Sequence, residues 1–264
     1  MANLFFPQLS SGAVAQYPIQ KTRLVRTIKN VLPSGDLLLL PDPSANMLVW
    51  RLAYKGLSAP DLASLKSFFT ACVGPFHSFT YLDPTDNLLS SSSNFAALNW
   101  KISGSITVAG DVPDPAGGSS AFTITNTGQA SGQITQMLLV PAAYQYCFSL
   151  YAISNQPSQV TLLRQGPTSQ AIKACPVGTQ WTRIVSEGAL NESGTTFTVG
   201  IQLVAGQQIT VYGLQLEAQV APSLYRPTQN GGVYTNAHWG TEQLSFTAQA
   251  PNLFATAFNI ETAI

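Results

Sequence analysis

The sequence predicts an all-β protein with one amphipathic helix. It is organised as a β-sandwich or barrel-like domain made from both chain ends, with a jelly-roll β-sandwich inserted between them. Three observations predict this. Strand-like runs recur along most of the 264 residues, punctuated by 20 Gly and 17 Pro, the residues that mark turns. A single stretch, after Ser58, switches to helical spacing. Charge also falls off in a step: residues 1–87 hold seven Lys or Arg and five Asp or Glu, whereas residues 88–227 hold five of each sign across 140 positions.

The elements follow in order. Lys21 to Ile28, Asp36 to Leu40 and Met47 to Tyr54 alternate as strands do, each bounded by Pro, Gly, Asn or Ser. Ser58 is placed to cap a helix, with Asp61 at its third position and Pro60 harmless in the first turn. Leu62, Leu65 and Phe69 recur at helical spacing as its buried face, and Gly74-Pro75 ends it. Phe76 to Pro84 reads as a strand running into a turn. Four serines, Ser90 to Ser93, mark the charge step as a join. Eight strands then follow at regular spacing: Ser105–Ala109, Ala121–Asn126, Gln133–Val140, Gln145–Ile153, Gln159–Arg164, Trp181–Ser186, Thr196–Leu203 and Gln208–Glu217. Short strands with no helical period suggest a two-sheet sandwich. The last segment, Val233 to Ile260, is strand-like but too short to fold alone. It is expected to rejoin the first, giving one domain from residues 1–87 and 228–264 and an inserted sandwich at 88–227.

Composition excludes several functions. Twelve Lys plus Arg balance twelve Asp plus Glu, so the chain lacks the basic excess that grips nucleic acid or an anionic membrane. Lys21, Arg23, Arg26 and Lys29 fall on both faces of their strand and form no single stripe. The start has no basic n-region and the longest apolar runs are far short of a membrane span, so neither secretion nor membrane insertion is expected. Cys72, Cys147 and Cys175 form no CxxC pair. They read as reduced core thiols of a protein made in the cytoplasm, with a Cys147–Cys175 disulfide as the alternative. No nucleophile elbow, Walker loop, dinucleotide fingerprint or metal-ligand cluster is present, and His77 and His238 read as structural.

Two blocks resemble known families. Arg51-Leu-Ala-Tyr-Lys-Gly-Leu-Ser, the helix ending Phe68-Phe69, Gly74 and Phe79-Thr-Tyr-Leu-Asp-Pro resemble the N-terminal domain of phage distal tail proteins. Asn87-Leu-Leu, Ser93-Asn-Phe, Asn99-Trp100, Pro115-Ala-Gly-Gly, Trp181-Thr-Arg-Ile, Val211-Tyr-Gly-Leu-Gln-Leu-Glu-Ala and Ser223-Leu-Tyr-Arg-Pro-Thr resemble a carbohydrate-binding-module-like jelly roll of phage tail proteins. The resemblance implies a non-enzymatic virion structural protein of the tail tip or baseplate, a ring component joining the tail tube to the tip. Its implied partners are further copies in a hexameric ring, the tail tube protein, tail-tip hub proteins and a host surface glycan. The alternatives are a receptor-binding tail protein and a glycan-degrading tail enzyme.

Sugars bind sandwiches through aromatic faces plus amide and hydroxyl groups. The candidates are Trp100, Tyr144, Tyr146 and Tyr151, with Asn99, Gln202 and Arg164 as polar partners. Tyr144 and Tyr146 share strand parity and Tyr151 has the opposite parity, so the first two make one platform or one of them serves the core. Trp100 either joins the platform or plugs the sandwich edge. Trp181 is expected to face the core and Arg183 the solvent. Asp111 and Asp114 sit in a Pro-Gly turn, where carboxylates cap backbone amides; calcium is the one cofactor such a loop would suit.

Overall fold

A computed structural model of the chain describes residues 3–264, apart from the side chain of Pro43. In chain order its elements are β1 (Gln20–Val31), β2 (Leu37–Leu57), α1 (Ala59–Ala71), β3 (Phe79–Leu82), β4 (Trp100–Ser103), β5 (Ile106–Val112), β6 (Ala121–Asn126), β7 (Gly132–Leu138), β8 (Tyr146–Ile153), β9 (Ser158–Gln165), β10 (Gln170–Val177), β11 (Thr182–Gly188), β12 (Phe197–Leu203), β13 (Gln208–Glu217), β14 (Val233–Trp239), β15 (Phe246–Ala250) and β16 (Leu253–Ala263). Two compact units emerge, one reaching up to Tyr81 and resuming at Tyr234–Ile264, the other Leu82–Val233. The protein is mostly β, with one short helix.

In the first unit both chain ends share a six-stranded sheet ordered β1-β2-β16-β14-β3, with β15 pairing β16. The central pairing is antiparallel, Phe258 opposite Leu52 and Ile260 opposite Trp50. Its core is aromatic: Phe6, Trp50, Tyr54, Phe79, Tyr81 and Trp239 are almost fully enclosed, and Trp239 lies 4.6 Å from the Phe258 ring. Rings packed edge to face add stabilisation beyond their buried area.

The helix follows its sequence signals. Ser58 Oγ accepts from Asp61 N as an N-cap and donates to Asp61 Oδ2 (2.7 Å), so the hydroxyl makes both bonds to the third helical residue. Leu62 and Leu65 are buried. Phe69 is only half-buried, which corrects the expected buried face: its ring meets Trp239 edge-on at 5.1 Å from the rim of the core. The helix stops where Val73 and Gly74 turn left-handed (φ 53° and 61°) and Gly74 N donates to Phe69 O.

The second unit is a jelly-roll-type sandwich of two five-stranded sheets, β4-β7-β12-β9-β10 and β5-β6-β13-β8-β11. Neighbouring strands in both sheets are antiparallel, including β12 with β7 and β9 and β13 with β6 and β8. Ile134, Leu162, Val199 and Ile201 from one sheet and Ile124, Phe148, Leu150, Val211 and Leu216 from the other are fully buried between them. Two strands escaped the sequence reading, β4 and β10. Both are edge strands: β4 has four residues and β10 reads Gln-Ala-Ile-Lys-Ala-Cys-Pro-Val, so neither carries a clean alternation.

The serine run is a correction. It is no linker but part of the packed base of the sandwich. Ser92 is 2% exposed and its Oγ accepts from Thr228 N, while Ser90 N donates to Gln136 Oε1 at 2.9 Å. Beside it Asn87, fully buried, donates to Leu214 O and accepts from Leu89 N and Leu216 N. Gly232 N donates to Asn87 O, so one amide ties both ends of this unit together. Hydroxyl and amide side chains satisfy a buried backbone that would otherwise be costly to desolvate.

All three cysteines are buried free thiols. Burial, with Glu217 and Glu187 adding to it, pushes the Cys147 thiol up to about 12. No helix among the described residues is long and apolar enough to cross a membrane.

Candidate functional site

The outer face of the second sheet carries a row of side chains set by strand register. Arg183 on β11 lies opposite Tyr151 on β8, and Tyr151 lies opposite Tyr212 on β13. The Arg183 guanidinium sits 5.4 Å from the Tyr151 ring centre, and Nη2 donates to Ser149 Oγ at 2.9 Å. The Tyr151 and Tyr212 rings are 6.1 Å apart. Tyr225, from the segment after β13, meets Tyr212 edge-on at 5.2 Å, and its hydroxyl lies 3.3 Å from Ser92 Oγ. All four are half-buried.

A bulge creates this row. The pairing of β13 with β8 slips between Tyr212 and Gln215, and Gly213 adopts φ 67° there, with the Tyr225 ring 3.1 Å from where a Cβ would sit. The slip changes which side chains face inward. Ile209 and Val211 precede it, Leu214 and Leu216 follow it, and all four are buried. Without the bulge one of these pairs would face outward. Gly213 thus keeps the core continuous and leaves room for Tyr225 beside Tyr212.

Burial, and then Asp114 and Tyr151, raise the Tyr212 phenol above its ordinary value, and burial does the same for Tyr225. Both rings are therefore neutral at physiological pH. Among the described residues the phenolic oxygens of Tyr151 and Tyr212 make no hydrogen bond within the chain. Chemically the row offers flat aromatic surface, hydroxyls with unused capacity and one cation stacked on a ring.

The residues expected from sequence are distributed otherwise. Tyr146 is fully buried, stacked 4.3 Å from Phe197 with its hydroxyl on Pro141 O. It belongs to the core, and only Tyr144, half-buried 6.5 Å away, reaches the rim. Trp100 is 5% exposed, packs edge-on against Phe95 and donates its indole N–H to Ser91 O at 2.9 Å, so it plugs the sandwich edge. Exposed Asn99 donates to Ser90 Oγ. Arg164 points inward, because it shares the parity of Val160 and Leu162. Its Nε donates to Ser186 Oγ at 3.0 Å and Nη1 to Gly188 O, linking the two sheets, while burial lowers its pKa. Gln202 lies on the outer face of the other sheet, accepting from Gln133 Nε2 at 3.1 Å. Of the expected aromatics only Tyr151 is in the row.

The turn carboxylates do not converge on a metal site. Asp114 accepts from the backbone N–H of Ser120, Gly118 and Ala116 at 2.9, 3.0 and 2.8 Å, and these bonds, Ser120 foremost, hold it below its ordinary pKa. Asp111 is exposed at φ 58° where β5 bulges. Among the described residues no three His, Cys, Asp or Glu gather around a possible ion. Trp181 and Arg183 also need correcting. Residues two apart share a strand face, and it is Ile184 and Ser186 that are buried. Sequence reasoning missed Tyr212, Tyr225 and Arg183 as site residues. The available signal was the glycine directly after Tyr212, since a glycine inside a strand marks a bulge.

No protein-family model and no curated protein matches the chain. Solved structures give weak similarities. One is to the enzymatically active domain of bacteriophage CBA120 tailspike protein 4, at 16% identity and a TM-score of 0.40, over 52% of this chain and 22% of that one. Another is to the CBM22-1 xylan-binding domain of Paenibacillus barcinonensis Xyn10C, at 16% identity and 0.42, over 52% and 97%. A third is to TmCBM61 in complex with β-1,4-galactotriose, at 15% identity and 0.37, over 49% and 97%. The chain thus spans about a fifth of the tailspike structure and nearly all of the two binding modules.

Proposed function

We propose that this chain is a non-catalytic component of a phage tail tip whose sandwich binds host surface glycan through Arg183, Tyr151, Tyr212 and Tyr225. The observation that carries the sugar-binding reading is the row itself. Half-exposed rings 5.2 and 6.1 Å apart line a sheet face, and pyranose C–H faces stack on such rings while sugar hydroxyls pair with phenol and guanidinium donors. Fold alone does not specify function; the chemistry of this face supplies the argument.

The tail-ring part of the proposal rests on the resemblance of Arg51 to Ser58, the helix after Ser58 and Phe79 to Pro84 to distal tail proteins. In that reading the first unit forms a ring, hexameric in the related proteins, between tail tube and tip hub. In the same reading the sandwich carries the glycan site, and the chain's place is the virion.

A glycan array probed with wild type, Tyr151→Ala and Tyr212→Ala tests the sugar reading. Wild type is expected to retain a defined set of glycans, and each variant to bind about tenfold more weakly, roughly 1.4 kcal/mol. An array with no wild-type signal overturns it. Release of reducing ends from a bound polysaccharide would replace the non-catalytic reading with an enzymatic one.

A further inference from the structure

The hairpin of β1 and β2 runs past the sheet that anchors it. β16 flanks β2 only along Met47–Leu57, and Ile264 N reaches Asn46 O. Beyond that point, among the described residues, Arg26–Val31 pairs only with Leu37–Asp42, as a two-stranded ribbon. A lone ribbon is marginally stable in water. This one also carries exposed apolar side chains on both faces. Ile28, Leu40 and Leu38 share one face at 44, 43 and 41% exposure, and Val31, Leu37 and Leu39 share the other at 74, 56 and 53%. Leu24, Val25 and Leu32 continue the exposed surface. Large exposed apolar surface of this kind marks an interaction site.

Edge pairing is a poor way to cover it. Pro41 lacks a backbone donor on one edge, and Arg26 and Lys29 place charge along the other, devices that discourage strand addition. The faces are left as the contact surface. Charge favours another copy of the chain as occupant. Gln20–Asp42 holds four basic residues (Lys21, Arg23, Arg26, Lys29) and two acidic (Asp36, Asp42), a net +2; the remainder holds eight and ten, a net −2. Arg26 is paired with Asp42, but Arg23 and Lys29 have no acidic partner among the described residues. A neutral chain with 9% charged residues also has little self-repulsion to oppose association.

We infer that the ribbon is an assembly arm that inserts, with both faces covered, into the body of a second copy. Arm and receiving surface are different patches, so the contact is heterologous and repeats from copy to copy into a ring or a filament. This rests on the assembly half of the proposed function, not on its sugar-binding half.

The test is the mass of the full chain by size exclusion with light scattering at tens of micromolar. Wild type is compared with Ile28→Ser/Leu40→Ser and Leu37→Ser/Leu39→Ser, whose exposed positions leave folding intact, as melting curves would check. The expected result is a wild-type multimer of discrete mass and a shift of at least tenfold toward monomer in both variants. Carbodiimide cross-linking of mixed heavy- and light-isotope chains should join Lys29 to a carboxylate outside Gln20–Asp42 of another copy. A wild-type multimer that survives both variants, or intermolecular links confined to hairpin carboxylates, overturns the arm while leaving assembly intact. A wild-type monomer overturns both, and a monomer that floats with phosphatidylcholine vesicles makes the ribbon a membrane contact instead.

Discussion

The two outer faces of the sandwich share one architecture and differ in chemistry. On one, register lines up Arg183, Tyr151 and Tyr212. On the other it lines up Gln133, Gln202 and Thr161, with Gly200 between Thr135 and Leu163 in the next row. That second face mixes amides and hydroxyls, in which Gln133 Nε2 donates to Gln202 Oε1, with the exposed apolar side chains of Met137 and Ile172. Gly200 leaves no room above it, for a Cβ there would lie 2.1 Å from Ile134 O. The first face instead offers ring surface and donors with capacity left over. The same alternation that packs the core thus produces one face on which the strands present no aromatic ring and one whose strands line up Tyr151 and Tyr212.

Four variants can break or sharpen this contrast. The largest effect is expected in the interior that both faces cover: Tyr146→Ala should cost about 3–5 kcal/mol in denaturant unfolding, because a fully enclosed ring leaves a cavity. An unfolding free energy within about 0.5 kcal/mol of wild type, the usual range for surface substitutions, would place Tyr146 at the surface. Arg164→Met should cost about 1–3 kcal/mol, since Ser186 Oγ and Gly188 O lose their donor inside the sandwich; a neutral result means water replaces the guanidinium. Arg183→Lys keeps the charge but loses the planar stack on Tyr151, and it should weaken sugar binding a few-fold without moving the melting temperature. Equal affinity would remove the cation from the site.

The smallest effect concerns pH. The Ser120, Gly118 and Ala116 amides bond Asp114 and lower its pKa, so its contribution is present above the ordinary carboxylate range. It is lost as pH falls through the folded value. Asp114→Asn should therefore show a slightly flatter melting temperature between pH 7 and pH 3 than wild type. Identical pH profiles would mean the turn holds without the carboxylate's charge.

What the sequence could and could not reveal follows from the same physics. Ala121–Asn126 and Gln208–Glu217 match their strands residue for residue, because β-branched and apolar residues bounded by turn residues are a local signal. The helix start at Ser58 was equally local. The step in charge near residue 88 lies six residues inside the second unit, which begins at Leu82. Arg164 was misplaced even though its parity with Val160 and Leu162 was readable, since a charged side chain is rarely buried. The row itself was out of reach for a different reason. It depends on which residue of β11 and β13 meets Tyr151, and register between strands distant in sequence is set by tertiary packing. The slip at Gly213 alters it again.

The most direct test is a titration of one array-selected oligosaccharide by calorimetry into wild type, the Tyr151→Ala/Tyr212→Ala double variant and Gln202→Ala. The account predicts that removing the two rings weakens binding by about a hundredfold, near 2.7 kcal/mol. Gln202→Ala, on the opposite face, should bind as wild type does. Unchanged affinity in the double variant, or loss of binding in Gln202→Ala, would contradict the assignment of recognition to the aromatic face.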